Sequence, residues 1–127
     1  MSVDPMRVVV ADDDADFREL VTFKLRQAGY DIDAVADGAQ AWATISEAPP
    51  RLAVLDVMMP GLSGLDVLRK IRDDERTKTV PIILLTARSR DIDIDAGFAS
   101  GATDYVAKPF STRELVRRVT SVLDGGA

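Results

Sequence analysis

The chain has 127 residues, of which 46% are hydrophobic and 29% are charged, and its formal net charge is −5. It contains no cysteine and no histidine, which excludes disulfides, thiolate nucleophiles, imidazole bases and thiolate or imidazole metal ligands. The acidic balance argues against nucleic-acid binding by the chain as a whole, and no apolar run approaches the roughly 20 residues of a membrane-spanning helix.

Any chemistry must therefore depend on carboxylates, hydroxyls and lysine, and any bound metal should be a hard ion such as Mg²⁺. The length suits one domain over residues 1–127, with a core over about 6–123. The first five residues lack the layout of a secretory signal, so we expect a cytoplasmic location.

Short apolar runs alternate with helically spaced apolar residues along the whole chain. Gly29 is expected to end the first helix, and Asp37 and Gly38 are expected to form a turn. The predicted elements, in chain order, are strand 7–11, helix 17–28, strand 31–35, helix 41–45, strand 52–55, helix 65–71, strand 82–85, helix 91–100, strand 104–107 and helix 115–123. Continuous apolar strands separated by helices predict an α/β fold with a parallel sheet that is covered on both faces.

Polar residues follow four of the five predicted strands. In such sheets, ligands bind beyond the carboxyl ends of the strands, near the point where the strand order changes direction. Strand two ends in residues without such chemistry, which suits an outer position. The residues at the four strand ends are Asp12 and Asp13, then Asp56, Thr86 and Lys108.

These residue types together suit phosphoryl transfer to a carboxylate. Clustered carboxylates repel one another unless a cation joins them, and Mg²⁺ can bind both carboxylates and a phosphoryl oxygen. Lys108 can pair with a phosphate, and the hydroxyl of Thr86 can donate to a phosphoryl oxygen. Asp56 stands alone before a loop, so we assign attack to Asp56 and metal binding chiefly to Asp12 and Asp13.

Each residue also has an ordinary interpretation when it is taken alone. Asp12 and Asp13 could cap a helix, although Asp14 can do so instead. Thr86 could simply end a strand, Lys108 could be solvated, and Tyr105 could be a packing residue. Asp56 could likewise be a turn acid. The shared placement at strand ends favours the functional interpretation for the acids, Thr86 and Lys108, but does less for Tyr105.

Four segments of the chain resemble response-regulator receiver domains of two-component signalling. Their order and separations make the resemblance specific, and it covers about residues 6–123. The segments are VVVADDDADFREL, LAVLDVMMPGLSGLDVLRKIR, VPIILLTA and GATDYVAKPFSTREL. The resemblance implies a flavodoxin-like (βα)5 fold with strand order 2-1-3-4-5.

The resemblance also implies the roles of individual residues. Asp56 would accept a phosphoryl group from a sensor histidine kinase or a histidine phosphotransfer protein. Mg²⁺ would be held by Asp12, Asp13, Asp56 and the backbone carbonyl of Met58. Lys108 would pair with the phosphoryl group. The peptide bond between Lys108 and Pro109 would be cis.

The same resemblance implies a switch and an output. Thr86 would move toward the phosphoryl group while Tyr105 changes rotamer, which would remodel the surface of the fourth predicted helix, strand five and the last helix. The output would reach a downstream effector domain or protein, and a phosphorylation-dependent homodimer is a further hypothesis. The domain would act as a signalling switch that catalyses only its own phosphorylation and dephosphorylation.

Three alternatives use the same residues differently. A haloacid-dehalogenase-like phosphatase also places a D-x-D motif after its first strand, but it needs further acids after the lysine. A receiver-fold binding module that is never phosphorylated would be favoured by loss of the acceptor, a metal-binding acid or the lysine, and all are present. A nucleotide-binding function lacks a glycine-rich phosphate loop after strand one.

Overall fold

A computed structural model describes residues 6–87, 99–108 and 111–124. Within these ranges it has five strands, β1 (Arg7–Ala11), β2 (Asp31–Val35), β3 (Leu52–Asp56), β4 (Ile82–Ala87) and β5 (Asp104–Lys108). The helices that it describes are α1 (Ala15–Gln27), α2 (Gly38–Glu47), α3 (Gly64–Asp73) and α4 (Thr112–Leu123). The α4 helix is the last of the predicted helices. Most of the predicted helix over 91–100 lies outside the described residues.

The five strands form one parallel sheet with the order β2-β1-β3-β4-β5. This confirms the predicted fold class and strand order, including the outer position of β2. The direction of the strand order changes between β1 and β3, so the carboxyl ends of these two strands flank the crevice where such sheets bind ligands.

The central strands β1, β3 and β4 are buried because helices cover both faces of the sheet. Alternate residues of β1 and β3 point to opposite faces, and each face has its own apolar cluster. Helices α2 and α3 pack on the face that contains Val9 and Leu55. Helices α1 and α4 pack on the face that contains Val8 and Val54. Burial on both faces explains why these strands are continuous apolar runs.

Each of these four helices is preceded by a capping residue, whose side chain accepts a hydrogen bond from the backbone N–H three positions later. The capping residues are Asp14, Asp37, Ser63 and Ser111. The expected turn at Asp37 and Gly38 is therefore the start of α2, with Asp37 as its cap. Gly38 is required there because a Cβ atom would collide with the carbonyl oxygen of Leu62. Gly29 follows α1 with φ of +103°, as expected for a residue that ends a helix.

Two expectations have no structural description. The Lys108–Pro109 peptide bond involves Pro109, which lies outside the described residues. The surface predicted to include the helix over 91–100 is described only for β5 and α4. In the described ranges, no helix is both long and apolar enough to cross a membrane.

Candidate functional site

Asp12 lies directly after β1 and is fully buried. Its carboxylate accepts a hydrogen bond from the backbone N–H of Asp14 at 2.9 Å, which orients the side chain. Its backbone carbonyl accepts from the Arg18 guanidinium at 2.7 Å, so the first turn of α1 holds the residue in place. The neighbouring Asp13 is exposed. The cap of α1 is Asp14, as the sequence allowed, so capping does not require Asp12 or Asp13.

Asp56 is the last residue of β3 and is only 5% exposed. One carboxylate oxygen accepts from the backbone N–H of Met58 at 3.3 Å. The loop after it is closed by a hydrogen bond from the Gly64 N–H to the Val57 carbonyl at 3.0 Å. The Asp56 carboxylate therefore stands at the end of a buried strand and at the start of a short, closed loop.

Lys108 reaches from the end of β5 to both buried acids. Its Nζ atom lies 3.2 Å from an Asp12 carboxylate oxygen and 3.4 Å from an Asp56 carboxylate oxygen. The same atom lies 4.7 Å from the centroid of the Phe17 ring, which is within cation–π range. The Lys108 side chain is 31% exposed, so it is only partly shielded from solvent.

The electrostatics of the site are those of an incompletely neutralised acidic pair. Burial, followed by the Asp12 carboxylate, raises the pKa of Asp56 from 3.8 to about 6. The Lys108 ammonium and the Met58 N–H act in the opposite direction and do not cancel this rise. Burial would lower the pKa of Lys108, but Asp56 and Asp12 outweigh burial and raise that pKa above its usual value.

The donor set at this edge of the sheet fits a hard divalent cation. One carboxylate oxygen from each of Asp12, Asp13 and Asp56 lies within 4.8 Å of the others. Three anionic oxygens favour Mg²⁺ over softer metals, and the exposed Asp13 leaves room for the waters that Mg²⁺ retains. The single lysine charge leaves a net negative charge at the cluster, and a cation would remove it.

The remaining predicted site residues lie around this centre. Thr86 is buried near the end of β4 and pairs in register with Ala107 of β5. Tyr105 is half-buried and packs against the apolar cluster beneath α2 and α3. The side chain of Met58 is exposed. The switch roles of Thr86 and Tyr105 and the metal-binding role of the Met58 carbonyl remain predictions.

Two residues contribute to the site without having been predicted from the sequence. Phe17 is the first residue of the predicted helix over 17–28, and its ring contacts the Lys108 ammonium. Arg18 follows it in that helix and donates to the backbone carbonyl of Asp12. Both occur in the turn that follows the acidic pair, and that proximity is the signal that could have identified them.

Comparison with known proteins gives consistent matches. A family model described as the response regulator receiver domain matches residues 8–120. The DNA-binding response regulator MtrA of Mycolicibacterium paratuberculosis is 44% identical over 117 residues. The alignment covers 92% of this chain and 51% of MtrA, so the chain spans about half the length of this relative.

Solved structures show the same fold at significant sequence identity. The chemotaxis protein CheY4 of Vibrio cholerae is 31% identical with a TM-score of 0.86, and the match covers 92% of this chain and 98% of CheY4. The receiver domain of the sensor histidine kinase PA1611 of Pseudomonas aeruginosa PAO1 is also 31% identical with a TM-score of 0.86, covering 94% and 98% of the two chains. In that structure a magnesium ion is coordinated in the active-site cleft.

Proposed function

Because this chain belongs to the response regulator receiver domain family, we propose that Asp56 accepts a phosphoryl group from a sensor histidine kinase or a histidine phosphotransfer protein. The observation that carries this proposal is the convergence of Lys108 on the Asp12 and Asp56 carboxylates at 3.2 and 3.4 Å. It places a fixed positive charge beside a buried acid at the carboxyl end of a central strand, where an incoming phosphoryl group would develop negative charge.

The chemical step is attack by a carboxylate oxygen of Asp56 on the phosphorus atom of a phosphohistidine. A P–O bond forms to the carboxylate while the P–N bond breaks, and the imidazole nitrogen keeps the electron pair and takes up a proton. The product is an acyl phosphate. Lys108 would balance the charge of the transferred group, and Thr86 would donate its hydroxyl hydrogen to a phosphoryl oxygen.

The carboxylates of Asp12, Asp13 and Asp56, with the backbone carbonyl of Met58, would hold Mg²⁺. When bound, Mg²⁺ supplies positive charge that lets the acids approach a phosphoryl group without mutual repulsion. The close approach of the three carboxylates supports this assignment. The magnesium ion in the PA1611 receiver domain supports it by similarity.

The output would follow from a change in Thr86 and Tyr105. Thr86 would move toward the phosphoryl group, and Tyr105, which pairs in register with Leu84 of β4, would change rotamer. These changes would alter the surface formed by the predicted helix over 91–100, β5 and α4. MtrA is a DNA-binding response regulator, and this chain matches only about half of it. Because this chain is acidic, we expect the signal to reach a downstream effector domain or protein rather than DNA directly. A phosphorylation-dependent homodimer remains a hypothesis, and an unchanged monomer mass with beryllofluoride and Mg²⁺ would contradict it.

The direct test is incubation with acetyl phosphate and Mg²⁺, followed by intact mass measurement. We expect a gain of about 80 Da, one phosphoryl group, which is lost in Asp56→Asn and in EDTA. Asp73→Asn is the matched control, because Asp73 is an exposed aspartate at the end of α3, and it should still be phosphorylated. No gain in mass, together with no effect of beryllofluoride on the fold, would instead favour an unphosphorylated binding module.

A further inference from the structure

The Lys108 ammonium lies over a group that carries no formal charge. The Phe17 ring centroid lies 4.7 Å from Nζ, on a side chain that belongs to the first turn of α1. The same Nζ atom pairs with the Asp12 and Asp56 carboxylates. The ring therefore supplies a third contact surface for the ammonium group, and its π face attracts a cation.

We propose that Phe17 is a positioning residue for phosphoryl transfer, whose ring face holds the Lys108 ammonium beside the acceptor carboxylate. This inference rests on the proposed function of Asp56. Phe17 would thus take part in phosphoryl transfer although its side chain has neither a titratable group nor a hydrogen-bond donor.

The chemistry of the other two neighbours explains why such a contact is useful. Asp12 and Asp56 are also the proposed metal ligands. Once a cation binds, their negative charge attracts both the cation and the Lys108 ammonium. The long, flexible stem of lysine has a high conformational entropy, and an ammonium held only by shared carboxylates would be poorly localised. The attraction of an aromatic ring for the ammonium does not depend on those carboxylates.

Phe17 is well held for this role. Its backbone N–H donates to the Asp14 side chain at 3.1 Å, and its side chain packs on the apolar cluster beneath α1 and α4. The next residue, Arg18, binds the carbonyl of Asp12. The ring is thus anchored to the same backbone that carries the metal-binding acids.

Substitutions of Phe17 distinguish the effect of its aromatic ring from the effect of its size. Phe17→Leu keeps an apolar side chain and removes the π face, and we expect the rate of phosphorylation by acetyl phosphate with Mg²⁺ to fall about threefold to tenfold, the size of a partly desolvated cation–π contact. Phe17→Tyr keeps the ring and should retain the wild-type rate within about twofold. Phe23→Leu is the matched control, because Phe23 lies on the same helix with 57% of its surface exposed, and its rate should be unchanged.

A fluorinated series tests the electrostatic origin of the effect. Replacing Phe17 by phenylalanines with one, three and five ring fluorines changes the size of the side chain little but progressively weakens the negative face of the ring. We expect the rate to fall stepwise along this series. A rate that is equal for all members, or a Phe17→Leu rate equal to wild type, would overturn the inference and assign Phe17 to packing alone.

A second readout separates failure of this inference from failure of the proposed function. In metal-free protein, the ring should shift the ε-methylene proton resonances of Lys108, and Phe17→Leu should remove that shift while Phe23→Leu keeps it. Absence of the shift in the wild type would overturn the Phe17–Lys108 contact. Wild-type protein that takes up no phosphoryl group would contradict the proposed function of Asp56 even if the shift is present.

Discussion

Gly64 lies so close to Asp56 that a Cβ atom on it would collide with the Asp56 carbonyl oxygen and lie 2.9 Å from the carbonyl carbon. The first residue of α3 therefore packs directly on the backbone of Asp56. A side chain at this position would have to displace the end of β3 or the start of α3.

We therefore predict that Gly64→Ala destabilises the protein by about 2 kcal/mol or more, as for other overpacked sites, and slows phosphorylation. Gly61→Ala is the comparison, because Gly61 has φ of +75° but a Cβ atom on it would have no neighbouring atom within 4 Å. Gly61→Ala should lower the free energy of unfolding by about 1–2 kcal/mol through backbone strain. Its phosphorylation rate should equal that of wild type. Urea unfolding and acetyl phosphate kinetics would measure both effects, and equal rates for the two variants would contradict the prediction.

The raised pKa of Asp56 predicts a pH-dependent stability in EDTA. Because the folded-state pKa is about 6 and the ordinary value is 3.8, the folded protein binds more protons than the unfolded chain between these values. Stability is therefore lost as the pH rises from about 4 to about 6, by at most about 3 kcal/mol. Asp56→Asn cannot ionise, so it should be more stable than wild type at pH 8.

The difference between Asp56→Asn and wild type should disappear as the pH falls toward 4, where Asp56 is protonated in the folded protein and increasingly so in the unfolded chain. Chemical unfolding at pH 4, 6 and 8 in EDTA would measure it. Asp73→Asn again provides the control, because it replaces an exposed aspartate outside the site. If wild-type protein were more stable than Asp56→Asn at pH 8 in EDTA, burial would not be the dominant influence on the pKa of the Asp56 carboxylate.

Removal of the Lys108 charge should destabilise the protein more without metal than with it. In EDTA, Lys108→Met leaves the Asp12 and Asp56 carboxylates without their shared ammonium, and we expect the free energy of unfolding to fall by about 2 kcal/mol at neutral pH. Added Mg²⁺ should recover much of this loss, so its stabilising effect should be larger in the variant than in wild type. Lys70→Met, at an exposed position on α3, should change stability by less than about 0.5 kcal/mol. An equal gain from Mg²⁺ in wild type and Lys108→Met would contradict the prediction.

Asp13 should matter for metal binding far more than for folding. It is exposed, and its carboxylate lies within 4.8 Å of those of Asp12 and Asp56. We predict that Asp13→Asn weakens Mg²⁺ binding by about tenfold or more, with little change in unfolding free energy without metal. Titration calorimetry would measure the affinity, with Asp16→Asn, an exposed acid in the first turn of α1, as the control. Equal affinities for the two variants would exclude Asp13 from the metal site.

The strands could be predicted closely because burial on both faces leaves a continuous apolar signal. The starts of the helices were less clear, since capping precedes the apolar stripe: α1 begins at Ala15, before Phe17, and α4 begins at Thr112, before Leu115. The acids and Lys108 could be placed at one edge because parallel strands end on the same side. The Phe17 contact and the raised pKa of Asp56 depend on distances between side chains and on burial, which periodicity does not contain.

The ion pair between Asp12 and Lys108 joins residues that are 96 positions apart in the chain. This contact depends on the pairing of β5 with β4, because Lys108 is the last residue of β5. A chain that has been synthesised only as far as β4 would carry Asp12, Asp13 and Asp56 but not Lys108. The phosphorylation proposed for Asp56 should therefore require that β5 has joined the sheet and brought Lys108 to the two acids.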